Sequence, residues 1–254
     1  MKKLLLSAFV ICLAGTSIAQ ESPLWMRHCA LSPDGTTIAF TYKGDIYTVP
    51  STGGRATQIT TNPAFDTEPV WSPDSKQIAF ASDRMGSLDV FVVSSEGGAP
   101  QRLTTHSGSE KPVAYKDNKH ILFTANIAPS AEDAGFPSGQ FQQVYEVAVT
   151  GGRPAMFSSM PMECISINKE GVMLYQDKKG YEDYWRKHQV SPIARDIWTY
   201  TPGKKPVYQK QTTFGGEDRE PVWSPDGKSF YYLSEENLSL HLDNRMIYHQ
   251  DSIP

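Results

Sequence analysis

Cysteine is scarce in this sequence, with 3 in 254 residues. One of them, Cys12, sits in a leading apolar run, which leaves Cys29 and Cys164, 135 positions apart. Two thiols so spaced build no disulfide framework, and no bridge between them is expected. Positive charge is also short: 24 Lys and Arg face 28 Asp and Glu, a formal charge of −4. Nucleic acid is thereby disfavoured as a partner, since phosphate binding needs clustered cations. The one dense basic stretch, Trp185-Arg186-Lys187-His188, follows directly on Glu182-Asp183 and reads as a solvated loop. Long apolar runs are missing beyond the first 19 residues, so no later segment offers a membrane-spanning helix.

The usual signatures of chemistry are missing too. The six histidines are scattered, with no His-Glu-x-x-His pair. There is no Gly-x-Ser-x-Gly elbow, no phosphate-binding glycine loop and no calcium loop. Ser166-Ile167-Asn168-Lys169 fits Ser-x-x-Lys, but two free positions make that a weak pattern. Asp83-Arg84 and Asp218-Arg219-Glu220 read as surface turn pairs. No catalytic, cofactor-binding or metal-ligating residue is assigned, and a binding or scaffolding role is expected.

The first residues carry an address. Lys2-Lys3 precede the apolar run Leu4–Gly15, and Ser17-Ile18-Ala19 puts small residues ahead of Gln20. This is the layout of a secretory signal peptide over residues 1–19, cleaved after Ala19, so a periplasmic or secreted location is expected. Its removal takes Lys2 and Lys3 and moves the formal charge to about −6.

What the sequence has in quantity is repetition. Glu-Pro-Val-Trp-Ser-Pro-Asp occurs at Glu68–Asp74 and again at Glu220–Asp226. Ser32-Pro33-Asp34-Gly35 is a third copy; Tyr115-Lys116-Asp117-Asn118 and Asn168-Lys169-Glu170-Gly171 are degraded ones. The acidic residues fall 40, 43, 53 and 56 residues apart. After each turn comes a β-rich run (Ile78-Ala79-Phe80) and then a second (Asp89–Val93, like Asp45–Val49, Gln143–Val147 and Asp196–Tyr200). A glycine pair follows in three units (Gly53-Gly54, Gly97-Gly98, Gly151-Gly152), then a short run ending in Thr, such as Gln58-Ile59-Thr60-Thr61 or Arg102-Leu103-Thr104-Thr105.

Each piece has a physical reason. Ser-Pro-Asp-Gly suits a type I turn, because Pro fixes φ at the second position and Gly tolerates the fourth. β-branched and aromatic residues at period two suit half-buried strands, and paired glycines permit the next hairpin. Four antiparallel strands in about 40 residues make one propeller blade. The predicted fold is all-β: a propeller over residues 20–237 with four complete blades and part of a fifth. Trp71 and Trp223 are expected to pack between blades, and Asp74 and Asp226 to cap turns.

Two stretches interrupt the rhythm, Ile127–Gln142 and Asp177–Ala194, and long loops on a rigid scaffold are where binding concentrates. The tail Leu238–Pro254 has no glycine and none of the strand-turn-strand grammar, which is read as a shifted reading frame or truncation near Asn237, the alternative being an unusual last blade. An unclosed ring leaves two exposed blade faces and unpaired edges.

The unit Trp71–Thr104 resembles propellers of TolB-type, prolyl-oligopeptidase-type and tricorn-type proteins. More specifically, Ile38–Thr60, Asp183–Tyr200 (DYWRKHQVSPIARDIWTY) and Gly215–Glu235 are similar to the amino-terminal six-bladed propeller of exported tricorn-protease homologues. The resemblance covers roughly residues 25–236. It implies a serine peptidase whose second propeller, PDZ domain and peptidase domain, with the catalytic residues, lie in later parts; no position here matches those motifs, so none is carried over. It implies a non-catalytic role for this region, guiding peptides to or from a distant active site or supporting assembly, with peptide or protein as partner and no cofactor. The alternative is a free-standing TolB-type binding propeller; TolB-type chains carry an α/β domain before their blades, and none precedes Leu31.

Overall fold

The computed structural model describes residues 25–127, 141–180, 191–236 and 241–246, the last as backbone. The first blade is built from β1 (Arg27–Leu31), β2 (Thr37–Tyr42), β3 (Asp45–Pro50) and β4 (Thr57–Gln58). The second has β5 (Asp66–Trp71), β6 (Gln77–Ser82), β7 (Asp89–Ser94) and β8 (Gln101–Arg102). The third has β9 (Lys111–Asp117), β10 (His120–Ala125), β11 (Gln143–Ala148) and β12 (Ala155–Ser158), and the fourth β13 (Met162–Ile167), β14 (Met173–Asp177), β15 (Ile197–Thr201) and β16 (Val207–Lys210). The fifth sheet has three strands: β17 (Asp218–Trp223), β18 (Ser229–Ser234) and β19 (His241–Met246). Each sheet is an antiparallel meander in chain order, and no helix occurs among the described residues. The all-β propeller read from the sequence is the fold observed.

The turns form as their residues dictate. In the second blade the Ser75 amide donates to the Ser72 carbonyl at 2.9 Å, while the Ser72 hydroxyl donates to Asp74 at 2.7 Å and accepts from the Gln77 amide at 2.9 Å. Ser32 and Asp34 repeat this at 2.6 Å, and Ser224 and Asp226 do so again. The hydroxyl bonds hold the carboxyls of Asp34, Asp74 and Asp226 below their ordinary range. The fourth turn position is left-handed, filled by Gly35 (φ 75°), Ser75 (φ 60°), Gly171 (φ 80°) and Gly227 (φ 69°).

There is no single core; the apolar clusters lie at the seams between blades. At the first seam Ala39, Ile46 and Ile59 meet Trp71, Ile78, Phe80, Phe91 and Val93 of the next sheet. At the second, Ala79, Val90, Val92 and Leu103 meet Tyr115, Ile121, Phe123, Tyr145 and Val147. A middle strand is therefore buried on both sides, as Ile78, Ala79 and Phe80 show at 0% exposure. Trp71 completes its seam by donating Nε1 to the Ala30 carbonyl at 3.0 Å, and Trp223 donates to that of Ser166 at 3.1 Å. Both tryptophans tie one blade to the one before, as their position in the repeat predicts.

The closing threonines act as latches. Thr60, Thr104 and Thr212 accept through Oγ1 from the amides of Ile46, Val90 and Ile197 at 2.9, 2.9 and 3.0 Å. The next inner strand is tied to the same corner, where the amides of Asp66, Glu110 and Asp218 donate to the carbonyls of Gly44, Leu88 and Arg195 at 2.7, 2.7 and 3.1 Å. The outer strands are thus shorter than the Thr-ending runs suggest: β4 and β8 stop at Gln58 and Arg102 because Thr60 and Thr104 are already turning into the next blade.

The inner strands β1, β5, β9, β13 and β17 pack in succession, and no comparable packing among the described residues joins the fifth sheet to the first. Although the tail has none of the repeat grammar, residues 241–246 supply β19, which pairs along all of β18 from Ser229↔Met246 to Ser234↔His241. Strand pairing needs a free edge and a backbone, and β18 offers that edge whatever side chains follow.

Candidate functional site

The inner strands share an irregularity that the sequence did not announce. Four residues ahead of the turn, β1, β5, β13 and β17 each slip register by a bulge. The bulged residue is left-handed and is not glycine: His28 (φ 50°), Glu68 (φ 55°), Cys164 (φ 51°) and Glu220 (φ 54°). Such residues cost of order 1–3 kcal/mol each and recur where a strand must re-aim a side chain. β9 also slips register, between Asp117 and Tyr115 and between Ala114 and Pro112, with no left-handed residue, and its Lys111, in register with Thr124, pairs with Glu68 at 2.7 Å.

Two of these side chains, Glu68 and Glu220, lie close enough to act on a third, Cys164. The Cys164 side chain is solvent-exposed, yet the protein mass around it and then the charges of Glu220, Glu163 and Glu68, against the opposing pull of Arg195, push its thiol up to about 12. Glu68 belongs to the second blade and Cys164 to the fourth, so the influence acts across the channel. Cys29 and Cys164 are both free thiols, as their separation implied. The seam between fourth and fifth blades is stitched by Gln176, which donates to Glu163 at 3.1 Å and accepts from the Glu220 amide at 2.8 Å.

Beside this mouth lies a dense ionic cluster. Glu163 pairs with Lys178 at 3.0 Å and Arg195 at 3.4 Å, and Arg195 also pairs with Glu217. Against the cost of burial, Lys178 and the Gln176 and Arg195 contacts hold the Glu163 carboxyl below its ordinary range. Asp196 takes Lys179 and, at 2.8 Å, Lys210, while Asp177 accepts from the Asp196 amide at 2.8 Å and Trp198 Nε1 at 3.0 Å. These bonds anchor the two feet of the Asp177–Ala194 insertion, which close on each other at Gly180 and Ile193: a Cβ on the glycine would come within 3.2 Å of Ile193 Cγ2.

Topology puts the feet of both insertions on this rim. Ile127–Gln142 joins β10 to β11, and Asp177–Ala194 joins β14 to β15. Both are second-to-third-strand connections of adjacent blades, so they leave the ring from the same rim, where the inner strands begin. Tyr145 Oη fixes the start of the first by donating to the Ile127 carbonyl at 2.9 Å. The centre of each, 128–140 and 181–190, including Trp185-Arg186-Lys187-His188, lies outside the described residues.

Ser166 and Lys169 sit elsewhere, at the opposite end of β13. The Ser166 hydroxyl accepts from the Trp223 amide at 3.2 Å, and Lys169 is exposed on the turn. Asp83 accepts from the Phe65 amide at 2.8 Å, and Arg84 forks onto Asp66 at 2.9 and 3.0 Å, so this pair braces a corner. Among the described residues no group of His, Cys, Asp and Glu is arranged to hold a metal ion. The arrangement suits recognition: a charged, partly strained mouth, with the described feet of two insertions on the same rim.

The family pattern described as the tricorn protease N-terminal beta propeller domain matches residues 23–251. The chain belongs to that family. The match continues through the tail, past the point where the repeat grammar stops. Tricorn protease homolog 1 of Streptomyces coelicolor is 39% identical over 77 residues, 30% of this chain and 7% of that one. The uncharacterized peptidase YuxL of Bacillus subtilis is 32% identical over 108 residues, 38% of this chain and 16% of its own length. The chain therefore spans a small part of these two relatives. The uncharacterized protein Atu1656 of Agrobacterium fabrum is 34% identical over 218 residues, covering 80% of this chain and 68% of that protein.

Solved structures agree on the fold. The tricorn protease superposes with a TM-score of 0.71 at 16% identity, over 91% of this chain and 22% of that one. The putative TolB of Agrobacterium tumefaciens gives 0.68 at 14% identity, over 89% of this chain and 78% of that one. None of the mouth residues was singled out from the sequence, except Cys164 as a thiol and Glu220 within a turn pair. A usable signal was present: a fixed offset of four residues before each Ser or Asn of the turn.

Proposed function

We propose that this propeller is the non-catalytic portion of an exported tricorn-like serine peptidase, guiding peptides to or from an active site it does not carry. The observation behind the reading is that the described feet of both insertions leave the ring on the rim where the bulged inner-strand residues lie. Glu68, Glu163, Glu217 and Glu220 there outnumber Lys111, Lys178 and Arg195, and Glu220 has no ion-pair partner among the described residues. A mouth of this balance favours peptides with free amino groups or basic side chains, through contacts weakened by salt.

A second reading, a free-standing TolB-type binding propeller, is favoured by the extent of the matches to Atu1656 and to the putative TolB, which this chain covers by 68% and 78%. In either case the chain by itself hydrolyses nothing. Fluorescence anisotropy with labelled basic and acidic peptides tests the proposal. Basic peptides should bind, and Glu220→Gln should weaken them several-fold; absence of binding to any peptide, or equal binding of both classes in wild type and variant, contradicts it.

A further inference from the structure

The seams are not filled alike. Each inner strand runs from the channel mouth to its Ser-x-Asp turn, and at the turn end of the first seam a cavity of about 380 Å³ opens between the first and second sheets. That volume falls at the low end of small-molecule sites. Thr48, Ile59 and Trp71, all buried, line its depth. The Trp71 Nε1 is already bonded to the Ala30 carbonyl, so the indole offers the cavity apolar surface.

The second seam shows what closes such a space. Its Gln101 pairs with Val92 as Thr57 pairs with Thr48 in the first blade. Gln101 crosses the seam and donates Nε2 to the Thr150 carbonyl of the third blade at 3.1 Å. Thr57 is too short for that crossing. Thr150 in turn stands where the second blade has Glu96, each just ahead of the glycine (Gly151, Gly97) whose amide donates back to the strand end at 2.8 and 2.9 Å. Two residues ahead of Gln101 is Ala99, and two ahead of Thr57 is Arg55. The first seam thus lacks the bridge and gains a cation from one sheet and an anion from the other. Both line the cavity, and neither side chain has a hydrogen bond or ion pair among the described residues. Asp34, the other acid of the lining, is held by Ser32 and Thr36 of its own turn.

We propose that this cavity binds a small zwitterion of the amino-acid class, its carboxylate on Arg55, its ammonium on Glu96 and an apolar side chain over Ile59 and Trp71. A guanidinium takes a carboxylate through two parallel bonds, and a carboxylate accepts charge-assisted bonds from an ammonium. The site is at the far end of the blades from the channel mouth and is independent of peptide guidance there. Calorimetric titration of the chain with leucine and with leucyl-leucine tests the proposal, alongside leucyl-leucine acetylated at its amino group or amidated at its carboxylate. The variants are Arg55→Gln and Glu96→Gln, both at exposed positions, Thr57→Gln, which copies the bridge of the second seam, and Glu220→Gln at the mouth. Circular dichroism checks that each variant folds.

Wild type should bind at least one of the two free zwitterions, and the tighter of them tells a free amino acid from a dipeptide. Each cap, and each substitution at Arg55 or Glu96, should weaken binding about tenfold, the loss of one charged contact. Thr57→Gln should abolish binding, and Glu220→Gln should leave it unchanged. Absence of binding by wild type overturns the proposal. Binding undiminished by either cap or by Thr57→Gln, or lost in Glu220→Gln, overturns it equally.

Discussion

At the scale of single residues, burial of carboxylates is where this fold takes its largest risk. Glu110 and Asp89 are both fully buried and adjacent, at the latch between second and third blades, and no oxygen of either has a hydrogen-bond donor in good geometry. The facing groups are Arg102, 2.9 Å from Asp89, the Thr104 hydroxyl and His106. Burial raises both carboxyls above their ordinary range, outweighing Arg102 for Asp89 and Thr104 for Glu110. Below those raised values a proton between the two carboxyls adds a donor to the one Arg102 offers Asp89.

The folded state then holds protons that the unfolded chain releases near pH 4. The resulting stability is present below that pH and is lost as pH rises through the raised values of the pair. Glu110→Gln keeps a donor at every pH. Urea unfolding should show the variant more stable than wild type by roughly 1–2 kcal/mol at pH 8, with a flatter pH profile; parallel profiles would show that no proton is shared.

At the scale of elements, the repeat was legible because each blade reuses the same turn, strand period and Thr. What stayed hidden was set by context rather than composition. The bulges at His28, Glu68, Cys164 and Glu220 occupy three residue types, because the strain is imposed by the curve of the inner strand. β19 was missed because its sequence has none of the blade grammar, and its pairing comes from the edge β18 presents. The third blade departs consistently, with Gln143 and Met162 where the other latches carry acids.

Ser75 is the turn's one clear misfit among the close copies, a non-glycine at φ 60° where Gly35 and Gly227 stand in the others. Its hydroxyl accepts only a 3.3 Å bond from the Asp34 amide, so little is lost by its removal. Ser75→Gly should stabilise the chain by about 0.5–1 kcal/mol in chemical unfolding, since glycine adopts this conformation without a Cβ clash. Destabilisation would mean that the Asp34 bond matters more than the backbone.

At the scale of the whole molecule, five sheets are held by four seam clusters, and the chemistry-bearing residues collect at one end of the axis. Cys164 is a native reporter at that end, and Cys29, likewise an exposed thiol but ahead of the first turn, is its internal control. The most direct test of the peptide-guiding account is alkylation of the native chain at alkaline pH, read by mass spectrometry with and without a saturating basic peptide. The account predicts that Cys164 reacts slowly and is slowed several-fold further by peptide, while Cys29 keeps its rate. Peptide that binds yet leaves the Cys164 rate unchanged would contradict the placement of the binding site at the channel mouth.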